Sequence, residues 1–333
     1  MKLSPADRPT RNARILGLGA YRPARVVDNR ELAPACGVTE SWFPPRTGIR
    51  SHRMADETET LSAMGISAAQ AALEAAGTTA REIGCILVTT MGHTSQLPSL
   101  SPQIAHGLGA DHAVAYDVSS ACSGFCYCLA TARDHIGSGN TDLALVIATE
   151  RVSDFVDFSD RSIVAIFGDG AGAAVVGPSD SPGIGPVTWG SKGSGSDVIR
   201  MTRTWPEYAA DRTLPAPAIT MDGNKVWTWV RHDVTAAIGR ALDSAGVGLA
   251  DLAAFIPHQA NGRIIDMLAE QLELPDHVVI ARDVIETGNT SAASIPLAIE
   301  RLLRDGSAKK GDLALLFGFG AGLTYAGQLI ELP

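Results

Sequence analysis

The sequence predicts an α/β protein built from two similar halves, and three observations support this. Residues 72–90, ALEAAGTTAREIGCILVTT, align with residues 241–259, ALDSAGVGLADLAAFIPHQ, at a shift of 169 positions. A separate match, between DLALV from Asp142 and DLALL from Asp312, has a shift of 170 positions. In both halves, short apolar runs alternate with segments of helical periodicity, which indicates strands covered on both faces by helices.

The elements of the two halves follow one order. The apolar runs CILVTT and LALVIATE in the first half correspond to FIPH and LALLFGFG in the second. Each run is bounded by polar or Gly-rich turns, which predicts a buried strand. We place the boundary in GPSDSPGIGP, giving an N-terminal half of residues 1–180 and a C-terminal half of residues 181–333. The long polar stretch from about 190 to 217 is predicted to be an insertion or lid.

Charge and composition exclude several classes of protein. A formal net charge of −9 gives no broad attraction to nucleic acid or to an anionic membrane. No apolar run approaches the ~18 residues that a membrane helix needs, and the first fourteen residues are polar without a secretion signal. The five cysteines are an odd number, which argues against a disulfide framework. We therefore expect reduced thiols and a cytoplasmic protein.

Three of the cysteines lie within seven positions, in the segment SSACSGFCYC. Cys122 and Cys126 would share one helix face while Cys128 points elsewhere, and no second Cys/His pair stands at zinc-like spacing, so no metal site is predicted. Cys126 and Cys128 are expected to be small buried hydrophobes. Cys122 follows a strand and a turn of small residues. At the start of a buried helix its thiolate is favoured and its pKa lowered, which predicts a nucleophile.

Two further residues are predicted to act with this cysteine. His258 differs from the other histidines because it directly follows an apolar strand. Asn289 lies in TGNTSAAS, where capping a helix is the alternative role. The shift of 169 superposes Cys122 on Ser291 in that segment, and superposes His258 on the strand end at Thr89. Equivalent strand ends and helix starts meet at the centre of a duplicated fold, so Cys122, His258 and Asn289 should converge.

The motifs resemble those of β-ketoacyl-ACP synthase III, nearly from end to end and in the same order. They are WFPPRTGIR, DVSSACSGF, IFGDGAGAAVV, PHQANGRII, GNTSAASIP and GFGAGLTYAG. The resemblance implies the thiolase fold, in which two pseudo-dyad-related α/β halves form a five-layered α-β-α-β-α core, and a homodimer. It implies that Cys122 accepts a starter from acyl-CoA, and that His258 and Asn289 then promote decarboxylative condensation with malonyl-ACP. Neutral hydrogen-bond donors suffice for this reaction, so no metal or organic cofactor is implied.

The resemblance also implies binding roles. The backbone N–H groups of Cys122 and Ala321 would form the oxyanion hole. The expected coenzyme A contacts are Trp42, Arg46, Arg161, Asn224 and Asn261. Arg263 would dock the acyl carrier protein. Many relatives carry lysines two turns beyond this arginine, whereas this chain has Asp266, Glu270 and Gln271, so we expect weaker docking or docking through Arg304, Lys309 and Lys310.

The acyl pocket departs from that of many relatives. They have Phe at the position of Leu97, which the partner subunit contributes to the end of the pocket. Leu97 and Met91 are flexible aliphatic side chains, and replacing a ring by leucine opens volume. This predicts starters larger than acetyl. The departures favour a priming ketosynthase of a bacterial type II polyketide pathway over initiation of housekeeping fatty-acid synthesis.

Other functions remain as alternatives. Biosynthetic thiolases have a second cysteine in the C-terminal glycine loop, which GFGAGLTYAG lacks, and elongating ketosynthases have a second histidine where Asn289 stands. An acyltransferase to an oxygen or nitrogen acceptor would share the acylation of Cys122. A Cys-His-Asn thioester hydrolase is opposed by the repeat and by the arginines of the coenzyme A type. A catalytically inactive scaffold predicts no acylation at all.

Overall fold

The computed structural model describes residues 10–333. Of the polar N-terminal segment, residues 1–9 lie outside this range. The strands are β1 (Asn12–Tyr21), β2 (Arg25–Asp28), β3 (Ser51–Met54), β4 (Cys85–Thr89), β5 (Val114–Val118), β6 (Ala144–Arg151), β7 (Asp169–Ser179), β8 (Thr188–Ser191), β9 (Ile199–Met201), β10 (Ile219–Met221), β11 (Ala254–Pro257), β12 (Val279–Ile280), β13 (Leu313–Gly320) and β14 (Thr324–Glu331).

The α-helices follow the same numbering. They are α1 (Asn29–Leu32), α2 (Pro44–Thr47), α3 (Leu61–Ala76), α4 (Leu100–Leu108), α5 (Gly124–Gly137), α6 (Arg161–Val164), α7 (Trp205–Ala210), α8 (Gly223–Trp229), α9 (Thr235–Ala245), α10 (Gly262–Gln271), α11 (Val284–Thr287) and α12 (Ser294–Arg304). A π-helical segment, Val230–Val234, joins α8 to α9. Short 3₁₀ turns, Ala121–Ser123 and Ser291–Ala293, precede α5 and α12.

Two five-stranded sheets repeat one topology. The strand order is β1-β7-β6-β4-β5 in the first sheet and, in equivalent positions, β8-β14-β13-β11-β12 in the second. In each sheet the three strands at one side are parallel and the other pairs are antiparallel. Gly77 and Gly246, superposed by the sequence repeat, end α3 and α9 with φ of 65° and 66°. The repeat is therefore confirmed, while the division at residues 180 and 181 stays a prediction.

The three largest apolar zones of the core are separated by the two sheets. Helices α5 and α12 lie between the sheets and pack against both, with α3 and α4 covering the outer face of the first and α9 and α10 that of the second. Alternation along β6 shows why its first five residues, 144–148, are all apolar. Val146 faces the central zone and Ile147 faces α3 and α4, both without exposed area. The predicted five-layered α-β-α-β-α fold is confirmed.

The polar stretch predicted as an insertion or lid contains regular structure. It begins in β8, which extends the second sheet, and continues into the β9–β10 hairpin, whose Met201 pairs with Ile219. The exposed helix α7 lies between these two strands. The hairpin contributes side chains to the cavity described below, so this segment forms a wall of the site. Within residues 10–333, every helix is too short or too polar to span a lipid bilayer.

Candidate active site

Cys122 lies where the two halves meet. Its 3₁₀ turn leads into α5, and Ala121 adopts a left-handed φ of 43°, a backbone strain that concentrates at functional sites. The hydroxyl of Ser123 lies 2.9 Å from that of Thr324, which also donates to the Ala321 carbonyl at 2.9 Å. These bonds hold the turn of Cys122 against the glycine loop after β13.

The protonation state of Cys122 differs from the sequence prediction. Burial raises the pKa of the thiol to about 12, and the negative charge of Glu150 acts in the same direction. The hydroxyl of Ser291 and the backbone N–H groups of Cys122 and Ala321 lower the pKa, but burial outweighs them. The prediction of a lowered pKa from the helix start was therefore wrong. The free thiol is protonated, so any reaction at this sulfur would require its proton to leave.

His258 is a neutral hydrogen-bond donor. Burial lowers the pKa of its imidazole to about 3. Its Nδ1 lies 2.8 Å from the hydroxyl of Ser294, which accepts the backbone N–H of Gln259 at 3.3 Å. Within residues 10–333 the hydroxyl hydrogen of Ser294 has no other acceptor, so it is donated to Nδ1, and Nε2 carries the imidazole hydrogen. The ring of Phe319 packs edge-on against the imidazole, with centroids 5.3 Å apart.

Asn289 is fixed by its backbone and by its amide oxygen. Its N–H donates to the carbonyl of Ile166 at 2.8 Å, and its carbonyl accepts from the N–H of Gly168 at 3.0 Å. Its Oδ1 accepts the backbone N–H of Ser291 at 2.8 Å. Because the oxygen is occupied, the amide nitrogen is the group available to the site, where it acts as a donor. The side chain therefore holds the start of the 3₁₀ turn before α12, whereas the N-cap position of α12 itself is Ala293.

One cavity brings the three predicted residues together. This inner cavity, of about 260 Å³, is lined by Cys122, His258 and Asn289 and by Ala321 and Met91. Apolar side chains, including those of Ile199, Met201, Ile219 and Met221 from the β9–β10 hairpin, form most of its wall. The convergence that the sequence repeat predicted is thus present in the structure.

An outer cavity of about 390 Å³ leads towards the surface. It shares with the inner cavity the residues Ile166, Met221, Val226, Asn261 and Ile264. Arg46 and Asn224, two of the predicted coenzyme A contacts, line the outer cavity, and Asn261 lines both. The guanidinium carbons of Arg46 and Arg161 lie 4.5 and 5.6 Å from the ring centre of Trp42. Three of the five predicted contacts thus line the outer cavity, and the other two, Trp42 and Arg161, are linked to it through the stacking of Arg46 on Trp42.

The predicted docking residue lies at the same entrance. Arg263 is exposed, lines the outer cavity, and stacks over the ring of Trp227 at 5.5 Å. Asp266 forms an ion pair with Arg282 at 2.7 Å. Glu270 and Gln271 lie at the far end of α10, ~10 Å along the helix from Arg263. The basic alternatives lie elsewhere, since Arg304 and Lys310 line a surface groove that shares no residue with either cavity.

Sequence reasoning missed four residues that build the site. Ser291, Ser294 and Gln259 lie inside motifs that were recognised only for their neighbours. The repeat gave a signal for Ser291, because it superposes Cys122 on that residue. Glu150 is a charged residue at the end of the apolar strand β6, and its carboxyl has no exposed area. A charged residue at the end of an apolar strand could have indicated a site residue, just as the position of His258 directly after an apolar strand did.

The neutral imidazole predicts how condensation depends on pH. We expect the rate of condensation, started from enzyme that is already acylated, to stay flat from about pH 5.5 to 8, because an imidazole with a pKa of about 3 does not titrate there. The measurement is product formation against pH in single-turnover reactions. A change in the condensation rate centred near pH 6.5 would show that His258 acts as an ordinary solvated histidine.

Comparison with known proteins identifies the family. Residues 116–193 match the family model for 3-oxoacyl-[acyl-carrier-protein (ACP)] synthase III, and residues 242–332 match the model for the C-terminal part of that synthase. A β-ketoacyl-[acyl-carrier-protein] synthase III of Streptomyces lividans is 50% identical over 97% of this chain and 95% of its own length. The chain belongs to the ketosynthase III family. It is therefore an acyltransferase of the 3-oxoacyl-ACP synthase III type.

Three further comparisons, one with a curated sequence and two with solved structures, also match this ketosynthase III over nearly its whole length. A synthase III of Streptomyces glaucescens is 47% identical over 100% of this chain and 99% of its own length. The crystal structure of the priming β-ketosynthase from the R1128 polyketide biosynthetic pathway is 50% identical, has a TM-score of 0.96, and is covered over 99% of both chains. The synthase III from Aquifex aeolicus VF5, 34% identical, has a TM-score of 0.89 over 96% of this chain and 100% of that chain.

Proposed function

We propose that this ketosynthase III primes a bacterial type II polyketide pathway. It transfers a short-chain acyl starter from acyl-CoA to Cys122, and condenses the starter with malonyl-ACP to give 3-oxoacyl-ACP. The convergence of Cys122, His258 and Asn289 on the inner cavity carries the proposal. The likeness to the R1128 priming ketosynthase supports the polyketide assignment over the initiation of fatty-acid synthesis, which uses the same chemistry.

Acyl transfer uses the sulfur and two backbone donors. The Cys122 sulfur attacks the thioester carbonyl, the C–S bond to coenzyme A breaks, and the coenzyme leaves as its thiol. The carbonyl oxygen becomes negative in the tetrahedral intermediate. The N–H groups of Cys122 and Ala321, which already act on the thiol, would stabilise that charge. The starter then occupies the apolar inner cavity as a thioester.

Condensation uses the two neutral donors. Loss of CO2 from malonyl-ACP leaves its bonding electron pair as an enolate on the thioester oxygen. The Nε2–H of His258 and the amide N–H of Asn289 would both donate to this oxygen and stabilise it. The enolate carbon attacks the acyl group on Cys122, and the cysteine sulfur leaves with the bonding electron pair and takes up a proton from water. No step needs a metal or organic cofactor.

The outer cavity is the proposed path for the thioester substrates. Trp42 and Arg161 would hold the adenine, Arg46 a phosphate, and Asn224 and Asn261 the pantetheine arm. The amide oxygen of Asn261 accepts the N–H of Ile264 at 2.9 Å, which leaves its amide nitrogen as a donor. A carrier protein delivers the same pantetheine arm, so one path serves both substrates.

Carrier docking would centre on Arg263 at the rim of the outer cavity. The neighbouring Asp266 is paired with Arg282, which reduces repulsion of an acidic carrier protein. Glu270 and Gln271 stand away from the rim and contribute little to docking. Arg304 has Glu300 as its partner at 3.0 Å and lies off the path, so it is a weaker candidate.

A homodimer completes the proposed acyl pocket. Leu97 is 88% exposed and does not line the inner cavity of its own chain, whereas Met91 does. An exposed leucine of this extent suits insertion into a second copy of the chain. We propose that Leu97 of the partner subunit closes the inner cavity, and that the enzyme acts in the cytoplasm, where acyl-CoA and carrier protein are present.

Competition between starters tests the proposed function. The enzyme is incubated with equal amounts of acetyl-, propionyl-, butyryl- and isobutyryl-CoA, and the adducts are quantified by intact mass. We expect the larger starters to dominate, because the cavity is lined by flexible aliphatic side chains. Addition of malonyl-ACP should release CO2 and give a 3-oxoacyl-ACP. A strict acetyl preference would overturn the starter assignment, and release of free acid would overturn the condensation.

A further inference from the structure

A buried carboxyl lies beside the nucleophile, and the chemistry above does not use it. Glu150 ends the apolar face of β6 and has no exposed area. Its Oε2 accepts the hydroxyl of Thr90 and the backbone N–H of Met91, both at 3.0 Å. Its Oε1 accepts the N–H of Ala292 at 3.3 Å. The carboxyl therefore joins the first half of the chain to the turn that precedes α12.

A hydroxyl connects this carboxyl to Cys122. The hydroxyl of Ser291 donates to the Sγ of Cys122 at 3.6 Å, and the same hydroxyl lowers the pKa of the Glu150 carboxyl as a nearby hydrogen-bond donor. Ser291 is held in position by a left-handed φ of 50° and by its N–H bond to the Oδ1 of Asn289. When this hydroxyl rotates so that its hydrogen points at the carboxylate, its oxygen can accept the thiol proton while it donates its own hydrogen to Glu150.

We propose that Glu150 is the final acceptor of the Cys122 thiol proton during acyl transfer, and that Ser291 relays it. The S–H bond breaks as the sulfur attacks the thioester carbon, and its proton moves to the Ser291 oxygen. The original hydroxyl hydrogen of Ser291 moves to a Glu150 oxygen. When the C–S bond to coenzyme A breaks, the departing sulfur keeps the electron pair, and the proton returns through Ser291 to give the coenzyme A thiol. Protons and electrons balance without another reactant.

The surroundings leave Glu150 poised to exchange a proton. Burial raises the pKa of its carboxyl to about 7. Hydrogen bonds from Met91, Ser291, Thr90 and Ala292 lower the pKa, but they do not outweigh burial, and no cation contributes. Its charged neighbours on the first sheet face elsewhere. Arg151 binds Asp154 at 3.1 Å, and Asp169 accepts from Ser153 and Ala55. Cys122 is the titratable group that faces Glu150, and the negative charge of Glu150 raises the pKa of the Cys122 thiol.

His258 is a poorer acceptor for this proton. Its Nδ1 is occupied by Ser294, and burial lowers its pKa to about 3. Near pH 7, half of the Glu150 carboxyl is ionised, whereas the imidazole holds a proton only weakly. The two groups thus divide the reaction. Glu150 and Ser291 serve acylation, and His258 and Asn289 serve condensation.

This division between acylation and condensation rests on the proposed function. It is tested by measuring, at a series of pH values, the rate at which the full chain is acylated in the pre-steady-state burst. In the native enzyme the acylation rate should rise with pH and level off above pH 7, because ionised Glu150 is the accepting form. In Glu150→Gln the acylation rate should fall ~100-fold, since a general base contributes about 10²–10⁴-fold. The rate should also no longer rise with pH up to pH 7. Ser291→Ala should behave in the same way. Condensation started from acylated enzyme should change less than ~3-fold in both variants.

Asp169→Asn is the matched control, because it removes a second buried carboxyl of raised pKa that does not contact Cys122. It should retain the pH limb of acylation, measured per folded enzyme. The inference is overturned if Glu150→Gln keeps the limb near pH 7, or if acylation and condensation slow equally, as a structural role predicts. Absence of any adduct on native enzyme would instead contradict the proposed function itself.

Discussion

Replacement of Asn289 by alanine is expected to reduce condensation ~100- to 1,000-fold while Cys122 is still acylated. The variant removes the amide that would donate to the enolate oxygen but keeps the backbone bonds to Ile166 and Gly168. The N–H of Ser291 loses its Oδ1 acceptor, while the left-handed φ of 50° still holds Ser291 in the turn beside Cys122. His258→Ala should give the same division, because Nε2 supplies the second donor. The measurement compares adduct formation from acyl-CoA with CO2 release after malonyl-ACP is added.

Asn140→Ala provides the control for this prediction. Asn140 is an exposed asparagine in the turn after α5 and lines neither cavity. Both half-reactions should proceed at the native rate in this variant. Equal loss of acylation and condensation in Asn289→Ala would mean that the amide supports the fold of the site and does not act on the enolate.

Gly320→Ala is expected to slow acylation ~100-fold without unfolding the protein. A Cβ at this position would lie 2.7 Å from the Cβ of Cys122 and 2.9 Å from its Sγ, closer than real side chains approach. Gly320 ends β13 and pairs with Thr324 of β14, while the earlier part of the strand is paired on both sides within the second sheet, which restricts its movement. The thiol must therefore shift away from the N–H groups that are proposed to stabilise its acyl intermediate. Initial acylation rates, normalised to folded enzyme, check this expectation.

Gly239→Ala is the matched control. Gly239 lies within α9, and a Cβ there meets nothing within 4 Å. Acylation should be unchanged, and the free energy of unfolding should rise by about 1 kcal/mol, because alanine restricts the unfolded chain and favours the helix. Native acylation by Gly320→Ala would show that the contact between the glycine loop and Cys122 does not position the sulfur.

The fold could be predicted because the sequence contains two copies of one pattern. Matching glycines at the ends of α3 and α9, and matching apolar runs, fix the equivalent strands of both sheets. The same repeat placed Cys122 opposite the turn that carries Asn289. These local patterns recur at a nearly constant shift of 169 to 170 positions, so comparison of the sequence with itself is enough to detect them.

The electrostatics of the site could not be predicted in this way. A helix start favours a thiolate, but the burial that raises the pKa of Cys122 comes from segments of both halves. The same is true of Glu150, which meets Thr90 and Ala292 only after both sheets have formed. Water exclusion is a property of the assembled cavity, so local sequence reasoning predicted the wrong protonation state for Cys122.

The most direct test of the central claim is the intact mass of the full chain after incubation with one acyl-CoA. The account predicts a single adduct with the mass of the acyl group, located on Cys122, absent from Cys122→Ala, and discharged when malonyl-ACP is added. Cys126 and Cys128 have no exposed area and should stay unmodified. An unmodified native chain, or an adduct that persists in Cys122→Ala, would contradict the account.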